Sequence, residues 1–94
     1  LRAARHAHPF AIVNPAFSYI APLTEAPESA ARDAAQTVDT GDDEWALIGD
    51  DLHIRYAHGA GSAQLDVARL LRTLGVAGTA RNLRTIDELL HRMR

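Results

Sequence analysis

The chain has 94 residues, of which 47% are hydrophobic and 23% are charged, and its formal net charge at pH 7 is −2. This length and composition fit one globular domain with a single modest core, and they exclude a disordered chain. The sequence contains no cysteine, which excludes disulfides, thiolate zinc ligands and a cysteine nucleophile and is typical of a reducing compartment such as the cytoplasm.

All ten basic residues are arginine. Without lysine, the chain cannot form a Schiff base or use the lysine of a phosphate-binding loop. The charges are unevenly distributed, because residues 24–51 carry nine acids and one arginine whereas residues 62–94 carry six arginines and three acids. An interaction surface is one interpretation of this asymmetry. The other is the ordinary alternation of acidic loops with arginine-bearing helices.

Residues 1–10 are predicted to be the end of a truncated upstream helix or a linker. The chain begins with Leu1 and its single methionine is Met93, so we expect a fragment or a truncated reading frame of a longer, two-domain protein. The expected partner is the missing N-terminal domain or, through an exposed apolar surface, a second copy of the chain. No apolar run reaches the roughly 18 residues of a membrane span, and no signal-peptide core follows Arg2 and Arg5.

Residues 11–94 are predicted to form a single α+β domain. A strand precedes Pro22, because Phe17 and Tyr19 alternate with small residues. The next element is expected to be a helix capped by Thr24. Its inward stripe of small residues comprises Ala30, Ala31, Ala34, Ala35 and Val38.

A β-hairpin is the clearest element of the sequence. One arm covers residues 45–48, the other covers residues 52–58, and Gly49-Asp50 supplies a tight turn. The second arm alternates apolar and polar residues, which predicts one buried face and one exposed face. The residues of its buried face are Leu52, Ile54 and Tyr56.

Two helices and a short strand complete the chain. Gly61 or Ser62 is expected to cap the first helix, and Gly75 ends it. A final edge strand is predicted over residues 76–82. A capping-box pattern predicts that the last helix starts at Thr85. The inward residues of the two helices are Leu65, Ala68, Leu71 and Leu74, followed by Ile86, Leu89, Leu90 and Met93.

The predicted element order is therefore β-α-β-β-α-β-α. Its first six elements match the split βαβ, or ferredoxin-like, arrangement. The predicted fold is thus a ferredoxin-like βαββαβ antiparallel sheet with helices on one face and an additional C-terminal helix. A sheet without the weak last strand is the alternative.

The tail of the chain resembles that of a bacterial family. Over residues 74–86 it reads Leu-Gly-Val-Ala-Gly-Thr-Ala-Arg-Asn-Leu-Arg-Thr-Ile. Together with the Pro9-Phe10 pair, the hairpin and the glycine-rich loop, this segment is similar to the C-terminal half of the family called domain of unknown function 1697. The resemblance covers most of the chain, implies that the family's N-terminal half is absent, and carries no established activity.

The sequence departs from that family pattern at three positions. Leu83 stands where the family has tryptophan, and Arg84 stands where it has asparagine. After the glycine-rich loop the family has Ser-Lys-Leu, whereas this chain has Ser-Ala-Gln-Leu over residues 62–65 and lacks the lysine. Family properties that depend on that tryptophan or lysine are therefore not expected here.

Three chemical interpretations are rejected from the sequence. His53 and His58 leave a strand on opposite faces and His6 and His8 lie near the chain end, so no metal site is expected. The acidic runs at 42–44 and 50–51 have no apolar shielding to separate two carboxyl environments, so turns and solubility explain them. The negative net charge disfavours nucleic-acid binding.

One candidate anion site remains. The loop at residues 59–62 precedes a predicted helix, where backbone N–H groups bind phosphate, and its candidate residues are Gly59, Gly61 and Ser62. Arg81 is the expected planar donor, with Asn82 beside it. A phosphate- or nucleotide-binding, enzyme-like role at this site is the alternative function.

The leading prediction is a non-catalytic binding or structural module without a cofactor. In that interpretation the glycines serve a strand-to-helix turn. Asn82 then bonds the turn before the last helix, and Arg81 pairs with an acid such as Asp87.

Overall fold

The computed structural model describes residues 2–10 and 14–92. The strands are β1 (Ser18–Pro22), β2 (Glu44–Ile48), β3 (Asp51–Arg55) and β4 (Arg81–Asn82). The α-helices are α1 (Arg2–Ala7), α2 (Ser29–Ala35), α3 (Val67–Leu74) and α4 (Leu83–Arg92), and short 3-10 turns cover Pro15–Phe17 and Ala60–Ser62. The strands form one antiparallel sheet in the order β2-β3-β1-β4, which confirms the mixed α+β class.

The predicted hairpin forms from β2 and β3. Gly49 has φ +59°, a left-handed conformation that favours glycine, and it supplies the turn. The register pairs Trp45 with Ile54 and Leu47 with Leu52, so these four side chains share one face of the sheet.

The main core lies between that face and the helices α2 and α3. Ala35 comes from α2, Leu70 and Leu74 come from α3, and all three are buried against residues of the central strands. The loop residue Leu65 completes the layer. The buried members of this main core are Ala21, Ala35, Leu52, Ile54, Tyr56, Leu65, Leu70 and Leu74.

A second buried cluster lies on the opposite face of the sheet. Ile20 points away from the main core because successive residues of a strand alternate between faces. It packs against Leu83 and Ile86 of α4 and Ala4 of α1, with Leu90 at the rim. The prediction that helices cover one face is therefore wrong. The apolar stripe of α4 needs a buried partner, and the second face of β1 supplies it.

The starts of α2 and α3 lie later in the chain than predicted. Thr24 caps no helix; its N–H donates to the carbonyl of Ala77 at 2.9 Å, and its hydroxyl accepts from the Ala77 N–H at 3.3 Å. The α3 helix begins at Val67, and Asp66 caps it by accepting the N–H of Arg69 at 3.1 Å. Tertiary hydrogen bonding at Thr24 and the acidic cap at Asp66 decide these boundaries.

The last helix also begins elsewhere than predicted. Asn82, rather than Thr85, caps α4, because the Asn82 side-chain oxygen accepts the N–H of Thr85 at 2.8 Å. The helix therefore follows β4 without an intervening loop. The predicted inward residue Met93 lies outside the described residues.

The inward side of α3 can be tested with a matched pair of truncations. Leu70 is fully buried, whereas its neighbour Leu71 is only partly buried at the edge of the main core. We expect Leu70→Ala to lower the free energy of unfolding by about 2–5 kcal/mol and Leu71→Ala to lower it by less than half as much. Urea denaturation followed by circular dichroism measures both values. A larger loss for Leu71→Ala would contradict the packing of this helix.

Candidate functional site

The loop at residues 59–62, which we call the glycine loop, forms a 3-10 turn rather than the start of an α-helix. Gly59 has φ +88°, and a Cβ added there would lie 3.0 Å from the ring of Phe17. Backbone conformation and close packing therefore both require glycine at this position. The Ser62 N–H donates to the Gly59 carbonyl at 3.1 Å, so it is used within the turn. The prediction that Gly61 or Ser62 opens a helix is wrong.

Arg81 and Asn82 lie on β4, at the edge of the sheet. Arg81 pairs with Ile20 in the strand register, and Asn82 pairs with Tyr19. The Asn82 side chain caps α4, whereas the structural interpretation places its hydrogen bond in the turn before that helix. Among residues 2–10 and 14–92, no hydrogen bond joins β4 to the glycine loop. The five candidate residues therefore lie on two separate elements.

Asp87 pairs with Arg5 rather than with Arg81. The Arg5 guanidinium donates to both carboxylate oxygens of Asp87, at 2.7 and 3.3 Å. This planar, two-point contact ties α1 to α4. Arg81 itself is exposed, and it takes part in none of the ion pairs found in the described part of the chain.

A buried carboxylate, Asp43, is the most connected polar group of the described structure. Its side chain accepts three backbone N–H groups: Ala57 at 2.9 Å, Gln64 at 2.7 Å and Leu65 at 2.9 Å. Asp43 is only 3% exposed, so the absence of apolar shielding predicted for this acidic run is wrong at this position. The carboxylate fixes the segment that connects β3 to α3.

Gln64 completes this contact from the other side. Its side-chain oxygen accepts the N–H of Asp42 at 3.1 Å, while its own N–H donates to Asp43. Gly41 has φ +57°, and any Cβ there would overlap the Gln64 side chain. Each of the two segments, 39–43 and 57–65, therefore donates a backbone N–H to a side chain of the other. Gly41 leaves room for the Gln64 side chain that takes part in this exchange. We call these residues the Asp43 hub.

The hydrogen bonds keep Asp43 ionised. Burial acts to raise the pKa of its carboxyl, but the three N–H donors outweigh burial and, with the nearby His58, hold the pKa below the ordinary value. Both oxygens of this carboxylate bind backbone donors, and the residue is buried away from any substrate. The geometry therefore gives Asp43 a structural role.

A histidine pair lies on the second face of the sheet, with His53 buried and His8 half-buried. The Nδ1 atoms of His8 and His53 are 2.8 Å apart, which fits a hydrogen bond in which one ring donates and the other accepts. His53 is 0% exposed, and Phe10 packs edge-on against His8. The Nε2 atoms of both rings are buried without a hydrogen-bond partner among the described residues.

Both histidines favour the neutral form. Burial, reinforced by His53 and Arg5, lowers the pKa of His8 to about 4. Burial also lowers the pKa of His53, against the opposing attraction of Asp51. In the described residues, no group of three or more histidine and acidic side chains is placed to hold a metal ion.

Sequence reasoning missed the histidine pair and the role of Asp43. A usable signal existed for His53, which is flanked on β3 by the core residues Leu52 and Ile54. Once a helix covers the second face, the residue between them is buried as well. No local signal distinguishes Asp43 from the exposed Asp42, because its partners lie 14 to 22 residues away.

The described residues also line an open groove of about 600 Å³ between the end of α3 and residues 24–25. Ala68, Leu71 and Arg72 form one wall, and residues 75–78 form part of the other. Neither the glycine loop nor Arg81 contributes to it. The groove is therefore separate from the predicted anion site.

No family model, curated protein or solved structure matches this chain. Within the described residues, no helix is both long and apolar enough to cross a membrane.

The contacts of the Asp43 hub predict that two adjacent acids contribute very differently to the free energy of unfolding. Asp43→Asn replaces one acceptor oxygen by an NH2 group that faces N–H donors, so we expect about 3 kcal/mol of destabilisation at neutral pH. Asp42 has a side chain that is 70% exposed, and Asp42→Asn is expected to cost less than about 0.5 kcal/mol. Urea denaturation of both variants at about pH 7 makes the comparison.

The stability difference between wild type and Asp43→Asn should also depend on pH. Because the folded-state pKa of Asp43 lies below the unfolded value of 3.8, its charge stabilises the fold fully above that value. The stabilisation is lost as the pH falls through the folded-state pKa. The difference between wild type and Asp43→Asn should therefore shrink in acid, and a difference that stays constant down to about pH 3 would contradict this assignment.

Proposed function

We propose that this chain is a non-catalytic binding or structural module of a longer, two-domain protein, and that it packs against another polypeptide through the open edge of β2. The observation that carries the proposal is the position of β2 at one end of the sheet, where β3 is its only partner strand among residues 2–10 and 14–92. Backbone N–H and C=O groups on the outer side of such a strand are open to a further strand.

The side chains of β2 suit such a contact. Ile48 is 39% exposed and is the one exposed large hydrophobic residue of the described chain. Trp45 and Leu47 are partly buried and pack against the main core from its margin. A strand added beside β2 would cover Ile48 on one face and extend the main core beyond Trp45 and Leu47 on the other.

The charges around β2 favour a partner with basic ends. Asp42 and Glu44 lie at its start and Asp50 follows its end, and all three are exposed. Antiparallel self-pairing would bring the acids of one copy beside those of the other. We therefore infer that the partner is an extended segment of another domain of the proposed longer protein, with apolar alternate residues and arginine or lysine near its ends.

We also propose the ferredoxin-like arrangement and kinship with the C-terminal half of the family called domain of unknown function 1697. The order β-α-β-β-α-β from β1 to β4, with β1 and β3 central, supports the first. The second is supported by a structural reason for the tail motif, in which residues 81–82 form β4 and Asn82 caps α4. A cytoplasmic location is proposed from the absence of cysteine.

Phosphate or nucleotide binding by Gly59, Gly61, Ser62, Arg81 and Asn82 is the alternative function. Two observations weaken it: the loop is not at an α-helix N-terminus, and Asn82 is occupied as a cap. Titration with inorganic phosphate and ATP, followed by ¹⁵N NMR, tests it directly. Saturable shifts confined to Gly61, Ser62 and Arg81, and abolished by Arg81→Ala in a folded protein, would replace our proposal with this one.

A synthetic peptide probes the proposed edge. The probe alternates valine and threonine between two terminal arginines, and the matched control carries glutamates in place of the arginines. We expect the basic probe to shift the ¹⁵N amide resonances of Glu44–Ile48 saturably, and Ile48→Lys to weaken its affinity at least about fivefold through lost apolar contact and added repulsion.

Two controls give the experiment a clear outcome. Ala30→Lys adds the same charge at an exposed position of α2 and should leave the peptide affinity unchanged. The acidic peptide should not bind. If the basic peptide shifts no β2 resonance at millimolar concentration, or binds Ile48→Lys equally well, the edge is not a docking surface.

A further inference from the structure

The histidine contact links the N-terminal segment to a central strand of the sheet. We define the N-terminal segment as residues 2–10, which comprise α1, His8 and the two residues after it. Its contacts with the rest of the described chain are apolar at Ala4, ionic between Arg5 and Asp87, and polar between His8 and His53. His53 lies between Ala46 of β2 and Ile20 of β1 in the sheet register.

The hydrogen bond between the two Nδ1 atoms needs at least one neutral ring, and a charge on either ring is disfavoured because its Nε2 is buried without a partner among the described residues. A neutral imidazole has one N–H donor and one acceptor nitrogen, so one Nδ1 must carry a hydrogen and the other must not. A proton added to one ring creates a charged N–H at a buried Nε2 that has no acceptor among the described residues. A proton on each ring would direct two N–H groups at one another across 2.8 Å.

The charged groups near the histidine pair do not remove its preference for neutral rings. Arg5 of α1 repels a proton on His8, whereas Asp51 of β3 attracts one on His53. Arg55 of β3 is bound by Glu44 of β2 at 2.8 Å. From the remaining elements, Asp87 of α4 is already paired with Arg5, and the exposed Arg81 of β4 lies opposite Ile20.

We propose that the N-terminal segment is a pH-sensitive clasp, which is held on the sheet while His8 and His53 are neutral and is released when they take up a proton. Release uncovers the second buried cluster of Ile20, Leu83 and Ile86 and leaves the main core, with its Asp43 hub, intact. The clasp and the β2 edge use different groups, because the clasp covers side chains on the second face of the sheet whereas the edge offers the outer backbone of β2 and Ile48.

The direction of the pH effect follows from the linkage between protonation and release. In the released segment His8 regains an ordinary pKa of 6.5, whereas in the clasped state its pKa is about 4. Between these two values, protons bind the released form preferentially. Acidification from about pH 7 to about pH 5 should therefore raise the released population on the order of tenfold.

Cysteine labelling can measure that population, because the chain has no native cysteine. Ala4→Cys places a thiol on the side of the clasp that faces the second buried cluster, at a position that is 8% exposed. Ala3→Cys places one at an exposed position of the same helix. The ratio of their alkylation rates cancels the intrinsic pH dependence of thiol reactivity. We expect Ala4→Cys to be protected at about pH 7 and to lose about tenfold of that protection at pH 5.

A non-titrating clasp provides the matched control. In the double variant His8→Asn/His53→Asn, an amide nitrogen of one side chain can still donate to the amide oxygen of the other, and neither group binds a proton in this range. Protection of Ala4→Cys in that background should not change between pH 7 and pH 5. His6→Asn, which alters an exposed histidine of the same segment, should keep the wild-type pH response.

Amide hydrogen exchange on the unsubstituted chain gives a second readout that needs no cysteine. After correction for the intrinsic exchange rate, residues 4–8 and 83–86 should lose protection at pH 5 while residues 52–54 of the main core keep it. If the thiol ratio and the exchange of residues 4–8 are both unchanged between pH 7 and pH 5, the clasp proposal is wrong. It is also wrong if the double asparagine variant opens in acid as the wild type does.

Discussion

The carboxylate of Asp43 connects two parts of the chain that neither regular structure nor apolar contact would align alone. Segment 57–65 contains one short 3-10 turn, so most of its backbone donors need partners from elsewhere. Asp43 supplies the partner for three of them and thereby sets where α3 starts its path across the sheet. The burial of Leu70 and Leu74 follows from that placement. A charged acceptor is well suited to this role, because hydrogen bonds to an ionised group are stronger than those between neutral groups.

The predictable features were those that depend on local periodicity. The hairpin and the α+β class followed from alternation and turn residues, which act over a few positions. Helix starts did not follow, because Thr24 is bound by the backbone of the distant residue Ala77 and Asn82 is both strand end and helix cap. The burial of His53 depends on helices packed from both ends of the chain, and that of Asp43 depends on segment 57–65. Long-range packing of polar residues leaves no periodic signal in the sequence.

The two buried polar centres have opposite requirements for protonation. The Asp43 hub needs a negative charge, which burial alone would disfavour and its N–H donors preserve. The histidine pair needs neutrality, which burial itself favours. Both requirements are met near neutral pH, and mild acid affects the second face of the sheet long before it affects the main core. The two faces of the sheet are therefore covered by different helices, and they depend on polar groups in opposite charge states.

The ion pair between Arg5 and Asp87 spans 82 residues of sequence. The hairpin, in contrast, joins residues only a few positions apart. Closing a long loop costs more chain entropy than closing a short one, and the cost is met only when the contacts at its ends form. In kinetic terms, the hairpin can form early, whereas α1 can dock only onto a surface that β1 and α4 have already built. The layer that acid weakens first is thus also the layer that folding completes last.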